Sequence, residues 1–209
     1  MPRRKSSQAW LQRHFRDPYV KRAQQEGARS RAHYKLAEID ARDKLFRSGM
    51  TVVDLGAAPG GWSEYAAERV KPRGQVVAVD LLPLAPIAGV TFVQGDFTDP
   101  QVLDSLRQRL GGPADLVISD MAPNITGISA TDQARALALA ESAVAFAQSA
   151  LRPGGALLVK AFHGTGFDAL AADLRRHFKK VSTRKPGASR TESREVYLLA
   201  KDFSGAESP

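Results

Sequence analysis

Cysteine is absent from this chain of 209 residues. That absence excludes disulfide bridges, thiolate zinc sites and cysteine nucleophiles together, and it is compatible with a reducing, cytoplasmic setting, which is the expectation here. Long apolar runs are also missing. None approaches the roughly 18 residues of a membrane span, and the basic N-terminus is not followed by the apolar core of a secretory signal. Acidic residues are scarce at one end. Residues 1–35 hold ten Lys or Arg against Asp17 and Glu26, a net of +8, and the rest of the chain balances its charges. Trp10, Phe15, Tyr19 and Tyr34 are interleaved with these cations. A cationic segment carrying aromatics is the footprint of a polyanion binder, whereas a solvated tail would account only for Arg3 to Lys5.

One further absence narrows the chemistry. The stretch Asp54-Leu55-Gly56-Ala57-Ala58-Pro59-Gly60-Gly61-Trp62-Ser63 follows the β-branched run Thr51-Val52-Val53 and leads into a helical pattern from Glu64 to Val70. It reads as strand, glycine loop and helix start, where the backbone can approach a ligand closely and the helix N-terminus offers free N–H groups. It contains no Lys or Arg. It lacks the G-K-[ST] of a phosphate-binding P-loop, and its G-x-x-x-G-G spacing is a poor match to the dinucleotide fingerprint. An acidic loop without a cation suits a positively charged ligand without phosphate, and S-adenosylmethionine (SAM) has both properties. A plain structural turn is the alternative.

From residue 50 onward strand and helix patterns alternate. Strands are expected at Thr51–Leu55, Gln75–Asp80, Val90–Gln94, Leu116–Ser119 and Ala156–Phe162, with Pro153-Gly154-Gly155 turning into the last of these. Helices are expected at Trp62–Val70, Pro100–Leu110, Thr131–Leu151 and Gly166–Phe178. Two closing strands, Lys179–Arg184 and Glu195–Lys201, follow without a helix, so the final strand should run antiparallel. Upstream, short helices are expected from Gln8 to about Gln25, interrupted at Asp17-Pro18. A further helix, from Arg31 to about Lys44, is expected to be capped by Ser30 and to carry Leu36 and Ile39 inward. This is a doubly wound α/β sheet with a basic N-terminal helical extension, in one domain over 1–209: extension 1–48, core 49–201, tail 202–209.

Ligands in such folds sit at the carboxyl ends of the strands. Those ends carry Asp54, Asp80, Asp96 and Asp120, and the fifth strand carries Lys160. Asp80 follows the glycine loop by about twenty residues, the spacing of a carboxylate that grips ribose hydroxyls. Asp96 then suits an adenine amino group. The loop Asp120-Met121-Ala122-Pro123-Asn124 differs from the acidic-Pro-Pro-aromatic loop of base amino-methyltransferases, having one proline and no aromatic at its fourth position.

Taken together, the glycine loop, Ser119-Asp120-Met121-Ala122-Pro123-Asn124, Val159-Lys160, Ser193-Arg194-Glu195-Val196-Tyr197, Gly27-Ala28-Arg29-Ser30-Arg31-Ala32 and Tyr34-Lys35-Leu36 resemble the FtsJ/RrmJ family of SAM-dependent 2′-O-ribose methyltransferases. The resemblance runs from about Trp10 to Ala200. It is closest to the members that methylate a uridine in the A-loop of large-subunit ribosomal RNA. It implies a Rossmann-like fold, SAM as methyl donor, and ribosomal RNA or the large (50S) particle as partner of a monomer. It implies a catalytic tetrad of Lys35, Asp120, Lys160 and Glu195, with Lys160 as proton acceptor, and SAM contacts at Gly60, Trp62, Asp80, Asp96 and Asp120; no metal is implied. His33 before Tyr34, and Phe162-His163-Gly164-Thr165-Gly166 after Lys160, depart mildly from the family pattern. Three other readings are weighed: an RNA base methyltransferase, a non-catalytic RNA-binding or ribosome-assembly factor, and an NAD-dependent oxidoreductase.

Overall fold

In the computed structural model, residues 17–123, 129–190 and 193–205 are described. The helices expected upstream of Asp17, and Asn124 of the Asp120 loop, lie outside them. The first element, α1 (Pro18–Glu26), begins at the dipeptide expected to break a helix. The Asp17 side chain accepts the Tyr19 N–H at 3.0 Å, Pro18 occupies a first-turn position that needs no donor, and Gly27 closes the helix at φ 71°. The second, α2 (Ala32–Asp43), lacks the Ser30 cap expected for it. Arg31 occupies the cap position without a side-chain bond, and the Ser30 hydroxyl is buried with no hydrogen-bond partner.

The remaining elements form one sheet and its flanking helices: β1 (Thr51–Leu55), α3 (Gly61–Val70), β2 (Gln75–Asp80), β3 (Val90–Gln94), α4 (Pro100–Leu110), β4 (Ala114–Ser119), α5 (Ser129–Ala150), β5 (Leu151–Phe162), α6 (Phe167–His177), β6 (Phe178–Arg184) and β7 (Glu195–Phe203). The strand order is β3-β2-β1-β4-β5-β7-β6. Strands β3, β2, β1, β4 and β5 are parallel neighbours, and β7 is antiparallel to both β5 and β6. The antiparallel final strand is therefore present as expected, but it lies inside the sheet, with β6 at the edge. β5 is also longer than its apolar run. Pro153-Gly154-Gly155 does not turn into the strand but forms an irregularity within it, as the register shifts between Ala114↔Leu151 and Leu116↔Ala156.

Two apolar layers cover the sheet. One face packs Val53, Val77, Val117, Leu157 and Leu198 against Leu106 of α4, Ala143 and Val144 of α5, and Leu170 and Leu174 of α6. The other packs Val52, Val76, Leu116, Leu158 and Leu199 against α2 and α3 through Leu36, Ile39, Trp62, Tyr65 and Ala66. Alternate residues of β1, β4 and β5 thus feed opposite layers, as the two-residue period of a strand requires.

α2 is fastened along its length to the C-terminal strands. Glu38 accepts the Tyr19 hydroxyl at 3.1 Å and the Ala188 N–H at 3.3 Å. Arg184 makes a two-pronged contact to Asp43, 2.7 Å for each prong, and Lys201 donates to the Asp43 carbonyl at 2.6 Å. Arg31, one residue ahead of α2, contacts Asp17 and the Ala188 carbonyl.

Leu36 is fully buried between α2 and the sheet. Leu36→Ala is expected to destabilise the fold by about 2–5 kcal/mol, the range for truncating a buried leucine. Chemical denaturation measures this, and a cost under about 1 kcal/mol would show that α2 is held by its polar contacts alone.

Candidate active site

Parallel strands put all their C-terminal ends on one edge, and the strand order reverses on either side of β1 and β4. A crevice opens there. Because β7 runs the other way, its N-terminal residue reaches the same edge. In the register, Phe162 faces Glu195 and Lys160 faces Tyr197. Lys160 and Glu195, far apart in the chain, are thereby neighbours, with Asp120 immediately beyond β4. α2 lays Lys35 across them.

The four tetrad side chains form one closed group. Lys35 Nζ is 2.7 Å from Glu195 Oε1 and 3.8 Å from Asp120 Oδ1. Lys160 Nζ is 2.8 Å from Asp120 Oδ1 and 3.6 Å from Glu195 Oε2, and it donates to the Asp120 carbonyl at 2.7 Å. Both lysines are buried, at 8% and 7% exposure. Two amines facing two carboxylates leave no net charge in the group. Removing one member of such a buried set strands its partners and costs about 3–5 kcal/mol.

Two further residues complete the group. The Tyr197 hydroxyl donates to Asp120 Oδ1 at 2.5 Å and lies 3.3 Å from Glu195 Oε1. The Ser189 hydroxyl donates to the same Glu195 oxygen at 2.8 Å. Tyr197 is fully buried, its ring lies under Lys35 Nζ at 5.7 Å, and Trp62 packs beside it at 5.6 Å. Sequence reading quoted Tyr197 within a motif without giving it a task. The signal available was its spacing: two residues from Glu195 on a strand puts both side chains on one face. Ser189, on a loop, gave no such signal.

Burial alone would raise the Glu195 carboxyl. The neighbouring Lys160 and Lys35 amines and the Ser189 hydroxyl outweigh it and hold the group at about 2. Burial raises the Tyr197 hydroxyl well above its usual value, and the Asp120 and Glu195 carboxylates push it the same way, so it remains a donor.

On the other flank of Asp120 lie the residues expected to hold SAM. Gly60 has φ 105°, in the region that favours glycine, and a side chain there would collide with Leu84 and Ile87. A Cβ on Gly61 would sit 2.4 Å from the unpartnered Ser30 hydroxyl. These glycines therefore let the Arg29, Ser30, Leu84 and Ile87 side chains close against the loop backbone, with the Ser30 hydroxyl sealed beneath it, so the fit to SAM rests on the carboxylates at the strand ends. The Asp80 carboxylate accepts the Ala58 N–H and the Leu82 N–H, each at 2.8 Å, so it also ties the glycine loop to β2. Asp96 is exposed at the end of β3 and accepts both the N–H and the hydroxyl of Thr98, contacts that lower its pKa.

Trp62 is placed differently from a ligand-facing ring. Its indole is 3% exposed and donates to the Ala32 carbonyl at 2.8 Å, so it joins α2 to α3 and can offer a ligand its backbone alone. Asp54 is likewise not at the surface of the crevice. It is sealed beneath the loop, accepts the Ser63 hydroxyl at 2.6 Å, and is pushed by burial to about 7. The four acids that the sequence puts at strand ends are therefore three facing the crevice edge and one within the core. The N-terminal cations are also less free than their number implies. Arg22, Arg29, Arg31 and Lys35 each contact an acid of this chain.

Residues 28–203 match the FtsJ-like methyltransferase family. The chain is similar to a protein of Chromohalobacter salexigens named ribosomal RNA large subunit methyltransferase E, 56% identical over 202 residues that cover 96% of each chain. A protein of the same name from Legionella pneumophila (strain Corby) is 54% identical over 205 residues, covering 98% of this chain and all of the other. Among solved structures, one from Plasmodium falciparum that carries a provisional designation as a ribosomal RNA methyltransferase superposes with a TM-score of 0.77 at 29% identity, over 85% of this chain and 99% of the other.

The charge balance of the group makes its stability sensitive to acid. A carboxyl lowered to about 2 stabilises the fold above the unfolded value near 4.5, and that contribution is lost as pH falls through this window. The stability gap between the wild type and Glu195→Gln should therefore close as pH drops from about 5 to 2.5. Denaturation midpoints across that range measure it, and a gap independent of pH would show that Glu195 carries no native-state charge.

Proposed function

Because the chain belongs to the FtsJ-like methyltransferase family, we propose that it transfers a methyl group from SAM to the 2′-hydroxyl of a ribose in large-subunit ribosomal RNA. The acceptor in this reading is a uridine of the A-loop on the assembled large subunit, and the enzyme acts as a cytoplasmic monomer. The observation that carries the reading is the closed group of Lys35, Asp120, Lys160 and Glu195 at the sheet edge, beside the strand-end carboxylates of Asp80 and Asp96. The names carried by relatives such as that of Chromohalobacter salexigens support the RNA substrate.

When bound, SAM supplies a methyl carbon made electrophilic by its sulfonium, so the protein's work is to align and deprotonate the acceptor. Gly60 would offer backbone at the α3 N-terminus, Asp80 acceptors for ribose hydroxyls and Asp96 an acceptor for the adenine amino group. On the acceptor side, Lys160 Nζ takes the proton of the 2′-hydroxyl. To do so it must first release one of its own protons to solvent, and with it one of the contacts that the same nitrogen makes to the Asp120 carboxylate and carbonyl. Lys35 keeps Glu195 in place and Tyr197 keeps Asp120 in place, so neither carboxylate swings away when Lys160 turns to the substrate. Tyr197 and Ser189 are positioning residues, acting through the carboxylates.

Transfer of tritiated methyl to unmethylated large subunits, followed by alkaline hydrolysis, tests the reading. A methylated 2′-oxygen cannot attack the adjoining phosphodiester, so the labelled position resists cleavage; label on a hydrolysable nucleotide would place the methyl on a base instead. Lys160→Arg keeps the charge but cannot give up its proton in a protein. That variant should bind SAM normally and lose at least about 10²–10⁴-fold in kcat, and a near-normal rate would reassign Lys160 to orientation alone. Asp80→Ala should weaken SAM binding by roughly 1.5–3 kcal/mol, the worth of hydrogen bonds to a charged group. Unchanged affinity by calorimetry would leave Asp80 as a brace for the glycine loop only.

A further inference from the structure

On the flank of Asp120 away from the glycine loop, the sheet edge opens into a cavity of about 240 Å³. Its walls include Ala122, Pro123, Gln133, Phe162, His163 and Arg194. Each of the strand segments that carries a tetrad member also supplies this cavity. Ala122 and Pro123 continue the chain from Asp120, Phe162 stands two residues beyond Lys160, and Arg194 immediately precedes Glu195. The rim is anchored to the same strand pair: Phe162 faces Glu195 in the β5–β7 register, and the His163 N–H donates to the Arg194 carbonyl at 3.0 Å. The His163 ring is backed by Phe167, centroid to centroid 4.5 Å.

Most of the surface it presents is apolar, and Asp132, Gln133, His163 and Arg194 bring polar groups to it, which is the make-up of a site for a flat heteroaromatic ring. The position selects the ring. In a nucleotide the base is attached to C1′, adjacent to the carbon that bears the 2′-hydroxyl, so a hydroxyl held at Lys160 leaves its base within one sugar's breadth. The donor's contacts point elsewhere, because Asp80 and Asp96 end β2 and β3 on the opposite side of β1. Unstacked RNA bases are gripped by aromatic faces and by arginine planes, with polar groups reading their edges. We propose that this cavity receives the base of the nucleotide whose ribose is methylated, with Phe162, Pro123 and His163 supplying its walls and Arg194 and Gln133 meeting its polar edge. The proposal rests on the ribose-methylation reading and deepens it, since it makes base identity at the acceptor position a property of these residues. It also gives a task to His163, which departs from the family pattern.

The test combines a filled cavity with a missing base. Large-subunit RNA is assembled by ligation with either the normal acceptor nucleotide or a ribose lacking its base at that position, and both are incorporated into subunits. Wild type and Ala122→Trp are compared by kcat/KM on each; Ala122 is exposed, so the larger side chain fills the cavity without burdening the core. His163→Ala serves as a second variant. The wild type should lose about 5- to 150-fold on the baseless acceptor, the worth of one stacked base. Ala122→Trp should show a loss of that order on normal RNA and little further loss on baseless RNA, with SAM affinity unchanged. Equal wild-type rates on the two RNAs would overturn the assignment while leaving ribose methylation intact. So would independent, multiplying losses from the variant and the missing base, or a parallel loss of SAM affinity, which would put the cavity on the donor's side. Absence of ribose methylation by wild type on normal RNA would overturn the underlying reading and the cavity assignment with it.

Discussion

The pairing of β7 with β5 is the constraint on which the site depends. A sheet of parallel strands gathers C-terminal ends at one edge, and each end can contribute an acid or a base only as its strand finishes. An antiparallel strand contributes its beginning instead. Inserted beside β5, β7 brings Glu195 to Lys160 and sets Tyr197 beneath both carboxylates. Shifting the register by one residue would turn Glu195 and Tyr197 to the other face. The apolar alternation of β5 and β7 resists that slip, since Leu157 and Leu198 feed one core layer and Leu158 and Leu199 the other. The packing of apolar residues thus holds the position of charged ones.

The tetrad is costly to bury and is kept neutral as a whole. Its oxygens and nitrogens satisfy one another, and Tyr197 and Ser189 take up remaining acceptor capacity. The same logic applies beneath the glycine loop, where Asp54 has the Ser63 hydroxyl and, among the described residues, no cation paired with it, and burial consequently raises it. Two carboxyls in one protein are driven in opposite directions, Glu195 downward and Asp54 upward, because one has amines beside it and the other does not.

Much of this architecture was legible in the sequence. The β-branched runs and glycine punctuation marked the strands and helices from residue 51 onward, and the acids at strand ends marked the crevice. What failed to show had local physical causes. Asp17-Pro18 reads as a break, yet an aspartate that can cap followed by a proline that needs no donor starts α1. Pro153-Gly154-Gly155 reads as a turn, yet β5 absorbs it as an irregularity because Leu151 still finds Ala114 across the sheet. Trp62 resembles a ligand contact by position, but a large ring at the first turn of α3 is worth more inside, against Tyr197 and the Ala32 carbonyl. Asp54 could not be told from its neighbours Asp80 and Asp120 because strand-end position does not reveal which side of the loop a carboxylate lies on.

The fastening of α2 to the last strands has a consequence for synthesis. Lys35 leaves the ribosome early, whereas the groups that hold it and its helix (Glu195, Ala188, Arg184 and Lys201) are made after nearly all of the intervening sheet. Until then α2 has its contacts to α3 and its buried lysine has only the longer approach to Asp120, so the carboxylate side of the site is half assembled. A growing chain of this kind holds no complete group of Lys35, Asp120, Lys160 and Glu195 until β7 is made. The group closes in a single late step, when β7 takes its place between β5 and β6.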